Sequence, residues 1–183
     1  MNSLADNELM LQVKAGDPDK MSLLFERHNK ALYAFLFHMT YRKEASEDMV
    51  QNVFYRMLKY SNTFKGDSEF VYWMFHIARN VLHEYARKNK NYAQQYDLAD
   101  LVERTGSGST VEELYEKKEA KAKLYEAISR LSVEQREVIA LSRFQELKHQ
   151  EIGQILGITE GAVKVRVHRA MQELKNIFFK MNN

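Results

Sequence analysis

The stretch of residues 149–179 constrains the fold of this chain more than any other part of its sequence. It opens with apolar residues at the i, i+3 and i+4 spacing of one helix face, namely Ile152, Ile155 and Leu156. Gly157 follows where a helix end turns into the left-handed region, which glycine enters without a steric penalty. Thr159 then suits the N-cap of a second helix, because its hydroxyl accepts a backbone N–H. The pattern predicts two helices joined by a tight turn.

The second of these helices is predicted to have one buried face and one basic face. At about 100° per residue, the buried face carries Val163, Val167, Ala170 and Leu174. The opposite face and its flanks carry the residues that we predict to contact DNA: Lys164, Val165, Arg166, His168 and Arg169. This arrangement is typical of a helix-turn-helix, whose second helix enters the major groove. The alternative is a helical hairpin in an ordinary bundle, whose basic face is only solvated.

Composition favours an all-α protein. The 183 residues include only 7 Gly and 1 Pro, while 45% of them are hydrophobic, so long stretches lack helix breakers and can still form cores. The absence of Cys excludes disulfides and thiolate metal sites and suits a cytoplasmic protein. The sequence shows neither a signal peptide nor a run of about 18 apolar residues, so we expect no membrane insertion.

Helical periodicity divides the chain into two small domains and a linker. Core spacing continues to about residue 90 and predicts a first domain over residues 1–90. The pattern dissolves over residues 91–110, where residues 106–109 (GSGS) have the composition of a flexible linker. A second helical domain, which contains the helix-turn-helix, is predicted over residues 111–183.

Local signals place the helix ends within these domains. The predicted helices of the first domain cover residues 4–14, 19–39, 44–61 and 68–89. Asp67 or Ser68 is expected to cap the last of them. In the second domain, Ser132 and Gln135 have the spacing of a capping box for a helix that continues to about Phe144.

Charge is unevenly distributed, although the net charge is only +2. Basic residues outnumber acidic ones over residues 79–90 and again over residues 159–183, whereas acidic residues prevail over residues 97–119. Two basic zones on either side of an acidic connector predict two separate contacts with nucleic acid.

Two blocks of motifs stand in order along the chain. The first comprises residues 47–54 (EDMVQNVF), 64–70 (FKGDSEF) and 73–80 (WMFHIARN). The second comprises residues 136–139 (REVI), 151–153 (EIG) and 161–170 (GAVKVRVHRA). Together they resemble regions 2 and 4 of the extracytoplasmic-function (ECF) class of bacterial RNA polymerase sigma factors.

The resemblance implies a two-domain initiation factor that binds core RNA polymerase and directs promoter-specific transcription. Residues 1–90 would form region 2, which docks on core polymerase and recognises and helps to melt the −10 element. Residues 111–183 would form region 4, whose helix-turn-helix recognises the −35 element. The expected partners are the β′ coiled coil and the β flap of the polymerase, promoter DNA and an anti-sigma factor.

The resemblance also assigns roles to individual residues. Docking on core polymerase falls to Asp48, Gln51, Asn52 and Phe54. Recognition of the −10 region falls to Phe64, Lys65, Asp67, Ser68, Arg79, Asn80, Arg87 and Lys88. Opened DNA presents unstacked bases to such a loop, an amide such as that of Asn80 can pair with a base edge, and the basic side chains hold phosphates.

Two other functions are open to a chain of this kind. A one-component repressor or activator also carries a helix-turn-helix, but it would need a ligand pocket or a dimer face in residues 1–90 and would bind DNA without polymerase. An enzyme would need a catalytic constellation, and the six His residues form no paired metalloprotease motif. The sequence also lacks a phosphate-binding glycine loop and a nucleophile elbow. We therefore expect no catalytic residues, no metal site and no cofactor.

Overall fold

The computed structural model describes residues 4–89 and 111–182 of the chain. Within those residues the regular elements are all helical and no strand occurs, which confirms the predicted all-α class. The predicted flexible linker over residues 91–110 lies outside the described residues.

The N-terminal half consists of four α-helices around an apolar core. They are α1 (Asp6–Lys14), α2 (Lys20–Thr40), α3 (Lys43–Lys59) and α4 (Phe70–Lys88), and each begins and ends within two residues of its predicted bounds. A 3-10 turn, Ser61–Thr63, follows α3. Most residues at the predicted core spacing are buried, among them Leu24, Leu32, Phe35, Val53, Met57, Met74 and Ala78. Phe25 and Leu58, which the same spacing placed in the core, are instead 43% and 40% exposed, because they lie at the edge of the apolar face.

The predicted cap of α4 is wrong. Neither Asp67 nor Ser68 caps this helix: Glu69 occupies the N-cap position, and its side chain makes no capping hydrogen bond. Instead, the backbone N–H of Phe70 donates to Oδ1 of Asn7 in α1, at 2.7 Å. The cap thus comes from a residue that is remote in sequence, which local pattern reasoning does not see.

The C-terminal half also consists of four α-helices, α5 (Val111–Ser129), α6 (Val133–Ile139), α7 (His149–Leu156) and α8 (Glu160–Asn182). The capping box of α6 is confirmed, since the N–H of Gln135 donates to Oγ of Ser132 at 3.2 Å and the N–H of Ser132 donates to Oε1 of Gln135 at 3.1 Å. The helix predicted to run on to Phe144 does so as a π-helical segment, Ala140–Phe144.

The two halves pack against each other through α2 and α4 on one side and α6, α7 and the π-helical segment on the other. The imidazole of His38 stacks on the ring of Phe144, with a centroid distance of 3.6 Å and an interplanar angle of 12°. The guanidinium of Arg136 donates to the carbonyl oxygen of Met39 at the end of α2, at 2.9 Å. Nothing in the periodicity of the sequence predicted this junction.

Candidate nucleic-acid interface

The turn between α7 and α8 has the geometry that the sequence predicted. Gly157 ends α7 in the left-handed region, with φ of 68°, and the N–H of Ala162 donates to Oγ1 of Thr159 at 3.2 Å. Gly153 allows the two helices to approach, because a Cβ at this position would lie 2.7 Å from the backbone oxygen of Ile158. The turn is therefore a tight and well-defined support for α8.

Helix α8 separates a buried face from an exposed basic face as predicted. Val163, Val167, Ala170 and Leu174 are buried. The residues predicted to contact DNA are all exposed: Lys164, Val165, Arg166, His168 and Arg169. Lys164 forms an ion pair with Glu160 at 2.9 Å, but both side chains are about half exposed, and such surface pairs are weak enough to exchange for a phosphate.

Val165 stands out on this basic face as an apolar side chain that is 49% exposed. An exposed apolar side chain on a major-groove helix can contact the methyl group of thymine. The helix therefore offers both charged groups that hold phosphates and an apolar group that distinguishes bases.

The loop between the 3-10 turn and α4 forms a second exposed surface. Its two ends are anchored by the rings of Phe64 and Phe70, each only 1% exposed, which lie 5.2 and 6.3 Å from the ring of Trp73. Between these anchors, the predicted site residues Lys65, Asp67 and Ser68 are exposed. The structure thus places Phe64 in the core beneath the loop, while the polar residues of the loop face solvent.

Helix α4 continues this surface with exposed polar and basic side chains, namely Asn80, Arg87 and Lys88. Arg79 is the exception among the predicted residues of this helix. Its guanidinium forms an ion pair with Glu137 of α6 at 2.7 Å and donates to the carbonyl oxygen of Ile155 in α7 at 3.2 Å. Glu137 is a buried residue, so Arg79 belongs to the junction between the halves in this structure.

Helix α3 carries the residues predicted to dock on a protein partner. Asp48, Gln51 and Asn52 are exposed, whereas Phe54 is buried and meets the ring of Phe25 edge-on, with a centroid distance of 4.9 Å. Phe54 therefore supports this surface from beneath rather than presenting its ring.

A groove between α3 and α4 adjoins the docking residues, and Asp48 and Asn52 line it. On its wall, Arg56 makes two hydrogen bonds to Glu84, of 2.7 and 2.6 Å, which tie the two helices together. These hydrogen bonds hold the pKa of the Glu84 carboxyl below its ordinary value.

Sequence reasoning missed the residues that join the two halves and those that support the loop. His38 is buried against Phe144 and Tyr125, and burial, together with the positive charge of Lys121, lowers the pKa of its imidazole to about 4. Asn7 bonds to both Ser68 and Phe70. The only signal for these residues is tertiary contact, because neither belongs to a recognisable motif.

In the part of the chain that the structure describes, no helix has the length and apolar character needed to cross a membrane. Over the same residues, His, Asp and Glu side chains do not gather in groups of three or more that would suit a metal ion.

Two family models match the chain. The model described as Sigma-70 region 2 matches residues 24–92, and the model described as Sigma-70, region 4 matches residues 121–174. The first match contains the loop, α3 and α4, and the second contains the turn and most of α8.

Curated relatives match most of the chain. It is 30% identical over 163 residues to the ECF RNA polymerase sigma factor SigX of Bacillus subtilis (strain 168), an alignment that covers 86% of this chain and 82% of SigX. It is 29% identical to the ECF RNA polymerase sigma factor SigW of the same organism, over 90% of this chain and 91% of SigW. It is 25% identical to the RNA polymerase sigma factor CarQ of Myxococcus xanthus, over 92% of this chain and 94% of CarQ.

Solved structures share the fold. CnrH, determined in complex with the cytosolic domain of CnrY, has a TM-score of 0.73 and 21% identity, and the match covers 97% of this chain and 99% of CnrH. The sigma factor RpoE, determined in complex with the anti-sigma factor NepR from Bartonella quintana, has a TM-score of 0.68 and 23% identity, over 85% of this chain and 94% of that one.

Proposed function

The chain belongs to the ECF RNA polymerase sigma factors and directs promoter-specific transcription initiation, and from this premise we propose how its two halves divide the task. Residues 1–90 form the part that docks on core polymerase and recognises the −10 element. Residues 111–183 form the part that recognises the −35 element, and residues 91–110 connect them. The two family matches, residues 24–92 and 121–174, support this division.

Recognition of the −35 element is the assignment with the strongest support. The observation that carries it is the clean separation of α8 into a buried apolar face and an exposed face on which all five predicted DNA-binding side chains lie. Lys164, Arg166 and Arg169 hold phosphates or guanine edges, because Arg and Lys suit both. Val165 and His168 distinguish bases and set promoter choice.

Recognition of the −10 element falls to the exposed loop residues Lys65, Asp67 and Ser68, together with Asn80 of α4. The exposed side chains of Arg87 and Lys88 hold phosphates of the same strand. Phe64 contributes by anchoring the loop in the core. Arg79 contacts DNA only after the halves separate, since its guanidinium is bonded to Glu137 while they are packed together.

Docking on polymerase uses the exposed side chains Asp48, Gln51 and Asn52 of α3, above the buried ring of Phe54, and its partner is the β′ coiled coil. The C-terminal half meets the β flap. An anti-sigma factor is the regulatory partner that this family membership favours.

The polymerase performs the chemistry of initiation, and this chain supplies promoter recognition without catalysis or a cofactor. It acts in the cytoplasm because its partner polymerase works there. Dependence on polymerase distinguishes this function from that of a one-component repressor or activator, which binds DNA alone.

The test is transcription reconstituted from core polymerase and the full chain, with start sites mapped across a genome. We expect a small set of start sites that share −35 and −10 sequences. Arg169→Ala should weaken −35 binding about tenfold. It should also reduce the slope of log affinity against log salt concentration by about one, the amount expected for one lost phosphate contact. Asn80→Ala should impair recognition of opened DNA.

A matched control removes one charge from the same helix: Lys175→Ala, whose side chain is exposed farther along α8. Tight and sequence-specific binding to DNA in the absence of polymerase would contradict the proposal. So would indifference of −35 and −10 recognition to both Arg169→Ala and Asn80→Ala.

A further inference from the structure

Helix α1 presents one face to the loop of residues 64–70. Asn7, Leu11 and Lys14 stand at i, i+4 and i+7, so their side chains share that face. This helix carries none of the motifs of the two blocks, and its sequence alone predicts no role in promoter recognition. Its contacts nevertheless follow the loop from one end to the other.

The three contacts hold the beginning, the middle and the end of the loop. Lys14 Nζ donates to the carbonyl oxygen of Phe64 at 2.6 Å. Leu11 lies against Gly66, since a Cβ at that glycine would be 3.4 Å from a Leu11 methyl carbon.

Asn7 holds the end of the loop with both atoms of its amide. Its Nδ2 donates to the carbonyl oxygen of Ser68 at 3.0 Å, and its Oδ1 accepts from the N–H of Phe70 at 2.7 Å. The second bond caps the N-terminus of α4, for which Glu69 provides no side-chain cap. One side chain therefore sets both the last loop carbonyl and the first turn of the helix that follows.

Helix α1 is itself firmly attached to the rest of the N-terminal half. Its other face buries Leu9, Met10 and Val13. At its start, Asp6 bonds to Arg27 and to His28 of α2, each at 2.6 Å. Burial alone would raise the pKa of the Asp6 carboxyl, but the hydrogen bonds from α2 outweigh this effect, and its pKa lies below the ordinary value.

A loop that reads unstacked bases gains from being held in one conformation. Lys65, Asp67 and Ser68 are exposed and have little packing of their own to order them. Ordering a mobile loop on binding costs conformational entropy, and a loop that is already ordered avoids that cost.

We propose that α1 is the positioning element of the −10 reader, and that Asn7 and Lys14 are its positioning residues. They do not touch DNA; they hold the backbone of residues 64–70 so that its polar side chains meet the opened strand in one arrangement. The inference rests on the proposed function of this loop.

Asn7→Ala provides the main test, because Asn7 is uncharged and its removal leaves the attraction for phosphates unchanged. The full chain is bound to core polymerase and given promoter libraries randomised in either the −10 or the −35 element. We expect open-complex formation to fall about tenfold, since two hydrogen bonds are lost. Discrimination among −10 bases should weaken, while −35 discrimination and affinity for polymerase stay unchanged.

Conservative variants grade the effect. Lys14→Met should resemble Asn7→Ala in its loss of −10 discrimination, and Lys14→Arg should restore it.

Two control variants separate positioning from general loss of stability. Gln12→Ala changes a residue of α1 that stands outside the Asn7, Leu11 and Lys14 face. Ser132→Ala removes the cap of α6, a helix of the other half, and the loss of a helix cap costs a similar amount of stability. Both should retain the −10 discrimination of the unchanged chain, and a loss in Ser132→Ala equal to that in Asn7→Ala overturns the inference.

A variant of the loop itself distinguishes failure of this inference from failure of the proposed function. The double variant Lys65→Ala and Asp67→Ala removes the proposed reading side chains directly. If it loses −10 discrimination while Asn7→Ala keeps it, the positioning role of α1 is overturned and the loop assignment stands. If the loop variant also keeps it, the assignment of the loop fails, and the inference fails with it.

Discussion

At the scale of single residues, the absence of one Cβ decides how closely α7 and the turn approach. A Cβ at Gly153 would lie 2.7 Å from the backbone oxygen of Ile158, and a backbone atom cannot rotate away as a side-chain end can. Alanine favours a helix over glycine by about 1 kcal/mol, but displacing the turn costs about 1–3 kcal/mol. The steric term therefore outweighs the helix propensity.

We expect Gly153→Ala to lower the free energy of unfolding by up to about 2 kcal/mol, as measured by urea denaturation. The matched control is Gly161→Ala, because a Cβ at Gly161 meets no atom within 4 Å. That variant should be neutral or slightly more stable, since alanine lowers the backbone entropy of the unfolded chain. Equal stabilities of the two variants would contradict the steric explanation.

At the scale of elements, the start of α6 shows a helix end that local sequence determines. Ser132 and Gln135 bond to each other's backbone N–H, as the capping-box spacing predicted. The start of α4 shows the opposite case, because its cap is supplied by Asn7 from another helix. Local spacing predicts a cap only when the capping group lies within the same few residues.

Ser132→Ala should lower the free energy of unfolding by about 1 kcal/mol, because it leaves an N-terminal N–H of α6 without its side-chain acceptor. Ser132→Asp should retain most of the stability, since a carboxylate accepts the same hydrogen bond and suits the positive end of the helix dipole. Thermal or urea denaturation measures both. If Ser132→Asp lost as much as Ser132→Ala, the hydrogen bond to Gln135 would not be the cause.

At the scale of the whole molecule, Arg79 connects the two halves. Its guanidinium bonds to both carboxylate oxygens of Glu137, at 2.7 and 3.3 Å, and to the carbonyl oxygen of Ile155. A carboxylate and a phosphate are alternative partners for the same guanidinium. Packing of the halves and a phosphate contact by Arg79 therefore exclude each other.

Glu137→Gln should weaken the junction by about 2 kcal/mol, because a buried pair loses one charge while Arg79 keeps partial contact with water. We expect a larger radius of gyration in X-ray scattering from the free chain. The control is Glu126→Gln, which breaks the exposed pair of Glu126 with Arg130 and should change neither quantity. Unchanged scattering from Glu137→Gln would show that this pair does not hold the halves together.

His38 makes the same junction sensitive to pH. Its pKa is lowered to about 4 by burial and by the charge of Lys121, against 6.5 for an ordinary imidazole. The rings around it are those of Phe37, Tyr41, Tyr125 and Phe144. The His38 imidazole is therefore protonated at a lower pH in the folded chain than in the unfolded chain. Stability contributed by neutral His38 is complete above about pH 6.5 and is lost as pH falls toward 4.

We expect the free energy of unfolding of the unchanged chain to fall by about 2 kcal/mol between pH 7 and pH 5 on account of His38. His38→Phe keeps a ring that can stack on Phe144 and has no group that titrates. Urea denaturation at the two pH values should show a smaller decrease for this variant. An equal decrease would assign the pH dependence to other groups.

The sequence by itself determined the helices, their buried faces, the turn at Gly157 and the exposed face of α8. Each of these depends on interactions between residues a few positions apart, which a periodic pattern records. The two family motifs likewise identified the class of protein, since they consist of short contiguous stretches.

Only the tertiary structure decided which groups meet across the molecule. Asn7 caps α4, Arg79 bonds to Glu137, and Phe54 and Phe64 are buried beneath the surfaces to which they were assigned. The physical reason is that such partners are separated by tens of residues, so that no local period relates them. Packing of whole helices brings them together, and it thereby sets the pKa of His38, the support of the loop and the availability of Arg79.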